Sequence, residues 1–163
     1  MATVYIGLGS NLGHREANLE QSMRLLSPEF LITKVSSVYE TEMMYRRERP
    51  RYFNLVCRAE TTLSPTDAYM KCKAVERGMG RKVTGMFDPR TIDVVLLTYD
   101  ETSFKSGQVV LPHPRLHERA FVLVPFAEIA PNLKHPELGK SIAELRSALG
   151  DYSQKIVKID QAV

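Results

Sequence analysis

Arg90 and Asp93 stand close together in the stretch Asp88 to Thr98, DPRTIDVVLLT, whose other residues are largely apolar and β-branched. A run of that kind forms a strand buried on both faces, where a charged side chain is costly to desolvate unless it meets a partner, a metal or a ligand. An Asp at the head of such a strand can hold a cation, and a nearby Arg can hold a phosphate. The plainer reading is an Arg/Asp pair that closes a strand end. Because alternate strand residues share a face, Thr91, Asp93 and Val95 line one side while Arg90, Ile92 and Val94 line the other.

Further polar residues sit where packing alone does not account for them. Asn54 lies between apolar neighbours in YFNLVCRAETT and shares a strand face with Tyr52 and Val56. A buried Asn must find hydrogen-bond partners, and a heterocycle with adjacent donor and acceptor would serve it. Arg81 and Lys82 belong to a basic, glycine-rich loop, GMGRKVTGMF, placed directly before the Arg90/Asp93 stretch. His113 and His117 have a spacing that invites zinc, but no third ligand with suitable spacing follows, so metal binding by imidazole is not expected. Gly7, Gly9 and Gly13 spell GxGxxxG, one residue off a dinucleotide-binding fingerprint; the preferred reading is glycines that let a tight strand-to-helix turn close. Lys71, Lys73 and Glu76 occupy the polar side of a helix and read as a solvated face.

The elements that must position these residues follow from period and punctuation. TVYIGLG at 3–9 is a strand, and Ser10-Asn11 with Gly13 supply turn and cap chemistry for a helix from Arg15 to Leu26, with Leu19, Met23 and Leu26 at core spacing. Phe30 to Glu40 reads as one strand, Thr41 to Arg51 as a charged loop without period, and Tyr52 to Thr62 as a third strand. Ser64-Pro65 starts a helix that runs to Arg77, with Asp67 at capping-box spacing. After the Asp88–Thr98 strand, Asp100 to Gln108 is a turn and Val109 to Leu111 a short extended piece. A helix beginning near Arg115 would carry Arg115 and Arg119 on one face and be interrupted by Pro125 before Glu128. A helix over Ile142 to Leu149 and a strand over Lys155 to Ile159 close the chain. The order strand, helix, strand, strand, helix, strand predicts an α+β, ferredoxin-like split βαβ antiparallel sheet, with helices on one face and a C-terminal helical extension.

With 163 residues and no repeat, linker or low-complexity segment, residues 1–163 are expected to form one domain. A net charge of +3, from 22 basic and 19 acidic residues, is too small to argue for nucleic acid, although it leaves room for a local basic patch facing an anion. No apolar run reaches the length needed to cross a bilayer. Cys57 and Cys72 lie in unlike contexts, without CxxC spacing or a secretory leader, so a reduced, cytoplasmic protein is expected.

Taken in order, YIGLGSNLG at 5–13, YET at 39–41, YFN at 52–54, GR at 80–81, DPRTID at 88–93 and PHPRLHERAFVLVPFAEIAP at 112–131 resemble the 6-hydroxymethyl-7,8-dihydropterin pyrophosphokinase family. Its members pass pyrophosphate from ATP to a pterin alcohol in folate biosynthesis. The resemblance implies a pterin pocket of Thr41, Tyr52, Asn54 and Phe121, with Tyr52 and Phe121 stacking on the ring and Asn54 reading its edge. It implies Glu76, Arg81, His113 and Arg119 around ATP, Arg81 and Arg90 on the phosphates during transfer, and Asp93 as a magnesium ligand. A monomer acting on small molecules, with neither nucleic acid nor membrane as partner, is the expectation that goes with it.

The chain also departs from that pattern. The family carries Asp-x-Asp in the central strand, and the second position is Val95 here; the glycine before Pro-Arg is Asp88, the proline after Thr-Glu is Met43, and the second loop thins to Thr84, Gly85, Met86 and Phe87. Losing a hard ligand weakens the ATP half, whereas the pterin half is largely kept. Three readings stand at this point: a magnesium- and ATP-dependent pyrophosphokinase; a relative that binds pterin or nucleotide with little or no transfer; and a ferredoxin-like regulatory module for another small ligand.

Overall fold

The computed structural model describes residues 1–41, 51–80, 92–150 and 156–159. Strand β1 (Ala2–Ser10) alternates Val4, Ile6 and Leu8 with Tyr5, Gly7 and Gly9. The first set faces helices α1 (Arg15–Leu26) and α2 (Pro65–Gly78), joining Leu19, Leu26, Ala68, Cys72 and Val75 in one core. The second set faces the other way, where Tyr5 packs with Phe126 of α3 (Ala120–Ile129) and with Ile142 and Leu145 of α4 (Ile142–Leu149).

β1 is a central strand, paired antiparallel with β4 (Tyr52–Thr61) on one side and β5 (Asp93–Tyr99) on the other. The sheet runs β5-β1-β4-β3-β8, with β3 (Tyr39–Thr41) and β8 (Ile156–Lys158) beyond β4, and β2 (Phe30–Val35) also pairing β4. This is the expected split βαβ arrangement: α1 and α2 cover one face, and the C-terminal extension of α3 and α4 covers part of the other.

Several local expectations are corrected. Phe30 to Glu40 is two strands, because Ser36 turns inward: its amide donates to Val56 O at 2.9 Å and its hydroxyl accepts from Val56 N at 3.0 Å. The turn expected over Asp100 to Gln108 contains strand β6 (Phe104–Ser106), which forms a hairpin with β7 (Val109–Leu111) around Gly107 at φ 59°. α3 is not interrupted by Pro125. It continues to Ile129, and it is apolar nearly all round because it is enclosed between the sheet and α4. α2 is capped as expected, Ser64 Oγ accepting from Asp67 N at 3.1 Å. Ser10 and Asn11, by contrast, do not cap α1; both are buried, and Ser10 Oγ accepts from Asn18 Nδ2 at 3.1 Å.

Candidate functional site

Gly9 of β1 is directly opposite Asn54 of β4 on one side and Asp93 of β5 on the other. Residues opposite one another in a ladder share a face, and adjacent strands lie about 4.8 Å apart, so Asn54 and Asp93 flank Gly9 with backbones roughly 10 Å apart. The glycine is what gives the Asn54 amide its room: a β-carbon on Gly9 would stand 2.7 Å from Asn54 Oδ1 and 3.6 Å from Tyr52 Cδ1. Gly7 and Gly9 therefore are strand residues, and of the three glycines only Gly13, at φ 70°, serves the turn before α1. The sequence reading placed Gly7 and Gly9 within the 3–9 strand but explained all three glycines by the closing of that turn, since the row formed with Asn54 and Asp93 exists only after the strands pair.

The Asn54 amide is fixed on one side. Its Nδ2 donates to Thr41 Oγ1 at 3.2 Å in a buried contact, β3 bringing Thr41 next to Tyr52 by direct pairing. Thr41 and Asn54 are 2% and 7% exposed, so this bond is made away from water and sets which way Oδ1 points, over Gly9. Tyr52 stands on the same face as Asn54, and Phe121 opens α3 with the Arg119 guanidinium 5.7 Å from its ring centroid. The structure thus gathers Thr41, Tyr52 and Asn54 at one corner of the open face, with an aromatic and a cation at the start of α3.

On the other side of Gly9, the outer edge of β5 carries the charged residues. Glu76 is 3% exposed, and its carboxylate accepts from Val94 N at 2.8 Å and lies 3.4 Å from Lys73 Nζ. The solvated-face reading of Glu76 is wrong, because α2 leans on the edge strand and carries this position into the interior. His113 donates its amide to Leu97 O at 2.8 Å, and its Nδ1 accepts from Arg115 N at 3.2 Å. Burial, aided by the charges of Arg119, Lys73 and Arg115, holds the His113 imidazole down to about 4. It is neutral at pH 7, with Nδ1 occupied as an acceptor, so Nε2 carries the hydrogen and serves as a donor.

Burial likewise lowers Arg119, with Arg115 adding to the effect and Asp93 opposing it. Arg115 and Arg119 do not share a helix face. A 3-10 turn over Leu116–Glu118 separates them, Arg119 is extended at φ −110° and ψ 102°, and Arg115 Nε turns to Glu118 Oε2 at 3.1 Å. Val95 is opposite Gly7 on the face of Asp93 and packs against the core under α3. Arg81 and Arg90 lie outside the described residues, as do Asp88 and the two expected loops for the most part. Among the described residues no group of three His, Cys, Asp or Glu is arranged to hold a metal.

The described residues thus form an α+β ferredoxin-like fold that carries a fixed amide, an aromatic corner and a flanking charged edge on one face of the sheet. The chain belongs to the 7,8-dihydro-6-hydroxymethylpterin-pyrophosphokinase family, whose model matches residues 5–131. It is 36% identical over 146 residues to the 2-amino-4-hydroxy-6-hydroxymethyldihydropteridine pyrophosphokinase of Aquifex aeolicus, covering 90% of this chain and 91% of that one. It is 37% identical over 127 residues to the protein of that name from Bacillus subtilis, covering 77% and 76%. The folic acid synthesis protein FOL1 of Dictyostelium discoideum is 38% identical over 135 residues, 83% of this chain but only 20% of that protein's length. A crystal structure of Plasmodium falciparum HPPK-DHPS has the same fold, with a TM-score of 0.72 at 16% identity, and covers 90% of this chain and 44% of that one.

Proposed function

We propose that this chain transfers pyrophosphate from ATP to the hydroxymethyl oxygen of 6-hydroxymethyl-7,8-dihydropterin in folate biosynthesis, with magnesium. The observation that carries the reading is the row Asn54, Gly9, Asp93: an amide fixed by Thr41 and seated over a glycine whose β-carbon would displace it, with a carboxylate on the glycine's other side. Asn54 Oδ1 and Thr41 match a heterocycle edge with adjacent donor and acceptor, and Tyr52 and Phe121 stack on its faces. Family membership favours transfer over binding alone.

Asp93 supplies one hard carboxylate beside the charged edge, and magnesium is bound through one or two carboxylates together with substrate phosphates, so the donors present fit it. When bound, the metal neutralises triphosphate charge and orients the in-line attack. The protein's own part is positioning. His113 Nε2–H and the Arg119 guanidinium donate to phosphate oxygens from a partly buried site where such bonds are strong, and Arg81 and Arg90 are assigned to the transferring phosphates by their place in the family motifs. The pterin oxygen attacks the β-phosphorus of ATP, its bond to the α-phosphoryl oxygen breaks, and AMP leaves while the hydroxyl proton passes to solvent. Residues 1–163 act as one domain, monomeric and cytoplasmic, on these two small molecules.

Incubation with ATP, magnesium and the pterin alcohol yields AMP and the pterin pyrophosphate, read by chromatography. AMP no higher than in a no-enzyme control overturns the proposal.

A further inference from the structure

Helix α3 touches the site at its start, through Arg119 and Phe121, and it also grips the opposite corner from its last turn. Glu128 lies there, and its carboxylate accepts from three donors of one short segment: Ser37 N at 3.0 Å, Ser37 Oγ at 3.1 Å and the Tyr39 hydroxyl. Tyr39 is the first residue of β3, is directly opposite Asn54, and stands on the same face as Thr41, the acceptor for Asn54 Nδ2. β3 is only three residues long, so its own ladder is weak support for the exact position of Thr41.

From these relations we infer that Glu128 is a positioning residue for pterin: it latches β3 to α3 and so holds Thr41, and through it the Asn54 amide, at a set distance from Phe121. Phe121 and Glu128 are seven helical steps apart, a rigid span of roughly 10 Å, and the latch converts that span into a fixed width between the two walls of the pocket. The groups around Glu128 are consistent with a permanent anion. Burial pushes its carboxyl up, but the bonds from Tyr39 and Ser37 and the charge of Lys158 outweigh this and leave it below the usual range. Lys158 is opposite Tyr39 in β8, which places a cation beside the same latch. Glu128 is exposed and touches no part of the charged edge at Glu76 and His113, so the role is specific to one substrate.

This inference rests on the proposed pterin activity, and its test separates the two. In Glu128→Gln one acceptor oxygen is replaced by an NH2 that faces the Ser37 donors, and in Tyr39→Phe one donor is removed with the ring kept. Both variants are expected to raise the KM for the pterin alcohol about five-fold while the KM for ATP and kcat stay within about two-fold, the pattern of lost substrate binding. Hydrogen exchange at the Glu40 and Thr41 amides accelerates in both. Glu144→Ala, which removes half of the α4 capping box, lowers the melting temperature without moving either KM, so that general weakening of the C-terminal layer is told apart from loss of the latch. A wild-type protein that turns over pterin, with an unchanged pterin KM in both variants, overturns the positioning role and leaves the activity standing. A wild-type protein that neither binds nor turns over pterin overturns both.

Discussion

The Glu76 carboxylate and the Val94 amide meet at 2.8 Å across the outer edge of the sheet. Among the described residues β5 is the terminal strand there, and for Val94 N–H a buried acceptor from α2 takes the place of a ladder partner. Glu76→Ala leaves that donor unsatisfied in the interior and is expected to lower stability by about 1–3 kcal/mol, read by urea denaturation. Glu76→Gln keeps a carbonyl acceptor and loses less. An alanine variant as stable as wild type removes this account of the edge.

Gly9→Ala tests the seat of the Asn54 amide. The new β-carbon would meet Asn54 Oδ1 at 2.7 Å, so the amide must turn away and give up the orientation set by Thr41. Pterin binding is expected to weaken at least about ten-fold, equivalent to about 1.4 kcal/mol, while ATP binding is kept, both by calorimetry. Gly7→Ala is the comparison: there the nearest atom is Leu97 Cδ1 at 3.5 Å, an ordinary contact, and binding is unchanged.

His113 predicts a pH dependence with a definite sign. Its imidazole is held down to about 4 in the folded protein against an ordinary value of 6.5, so between those values the unfolded chain binds a proton that the folded one does not. The stabilising contribution is complete above pH 6.5 and is lost as pH falls toward 4. Urea titrations over that range should show a shallower slope in His113→Gln than in wild type. An NMR titration should find the His113 value rising on addition of tripolyphosphate, since an anion favours the charged ring; a value near 6.5 without ligand contradicts the burial argument.

Asp93→Asn removes the carboxylate charge while keeping the size of the side chain. Transfer is expected to fall by about 10²-fold or more, with pterin binding by calorimetry unchanged because Asn54 lies across Gly9 from the substitution. In wild type, chelation of divalent metal stops AMP formation and added magnesium restores it. Equal turnover in Asp93→Asn contradicts the role assigned to this residue.

Alternation and caps were legible in the sequence because both are local. Val4, Ile6 and Leu8 share a face by period two, as do Tyr52 with Asn54 and Asp93 with Val95, and Ser64 with Asp67 marks a helix start that the structure reproduces. The family motifs brought Thr41, Tyr52, Asn54, Glu76, His113, Arg119, Phe121 and Asp93 into one list, though not into one geometry. Ser36 broke a strand that period alone continued, because its partner Val56 is remote in sequence. Glu76 looked solvated because a helix carries no sign of which side leans on a sheet edge. Gly9 looked like turn chemistry because its neighbours Asn54 and Asp93 reach it only through strand pairing. The sequence by itself determined the elements, the faces they present and the residues able to do chemistry. Only the tertiary structure decided that a missing β-carbon makes room for an amide next to a carboxylate-bearing strand, since cross-strand register joins residues whose local patterns hold no record of one another.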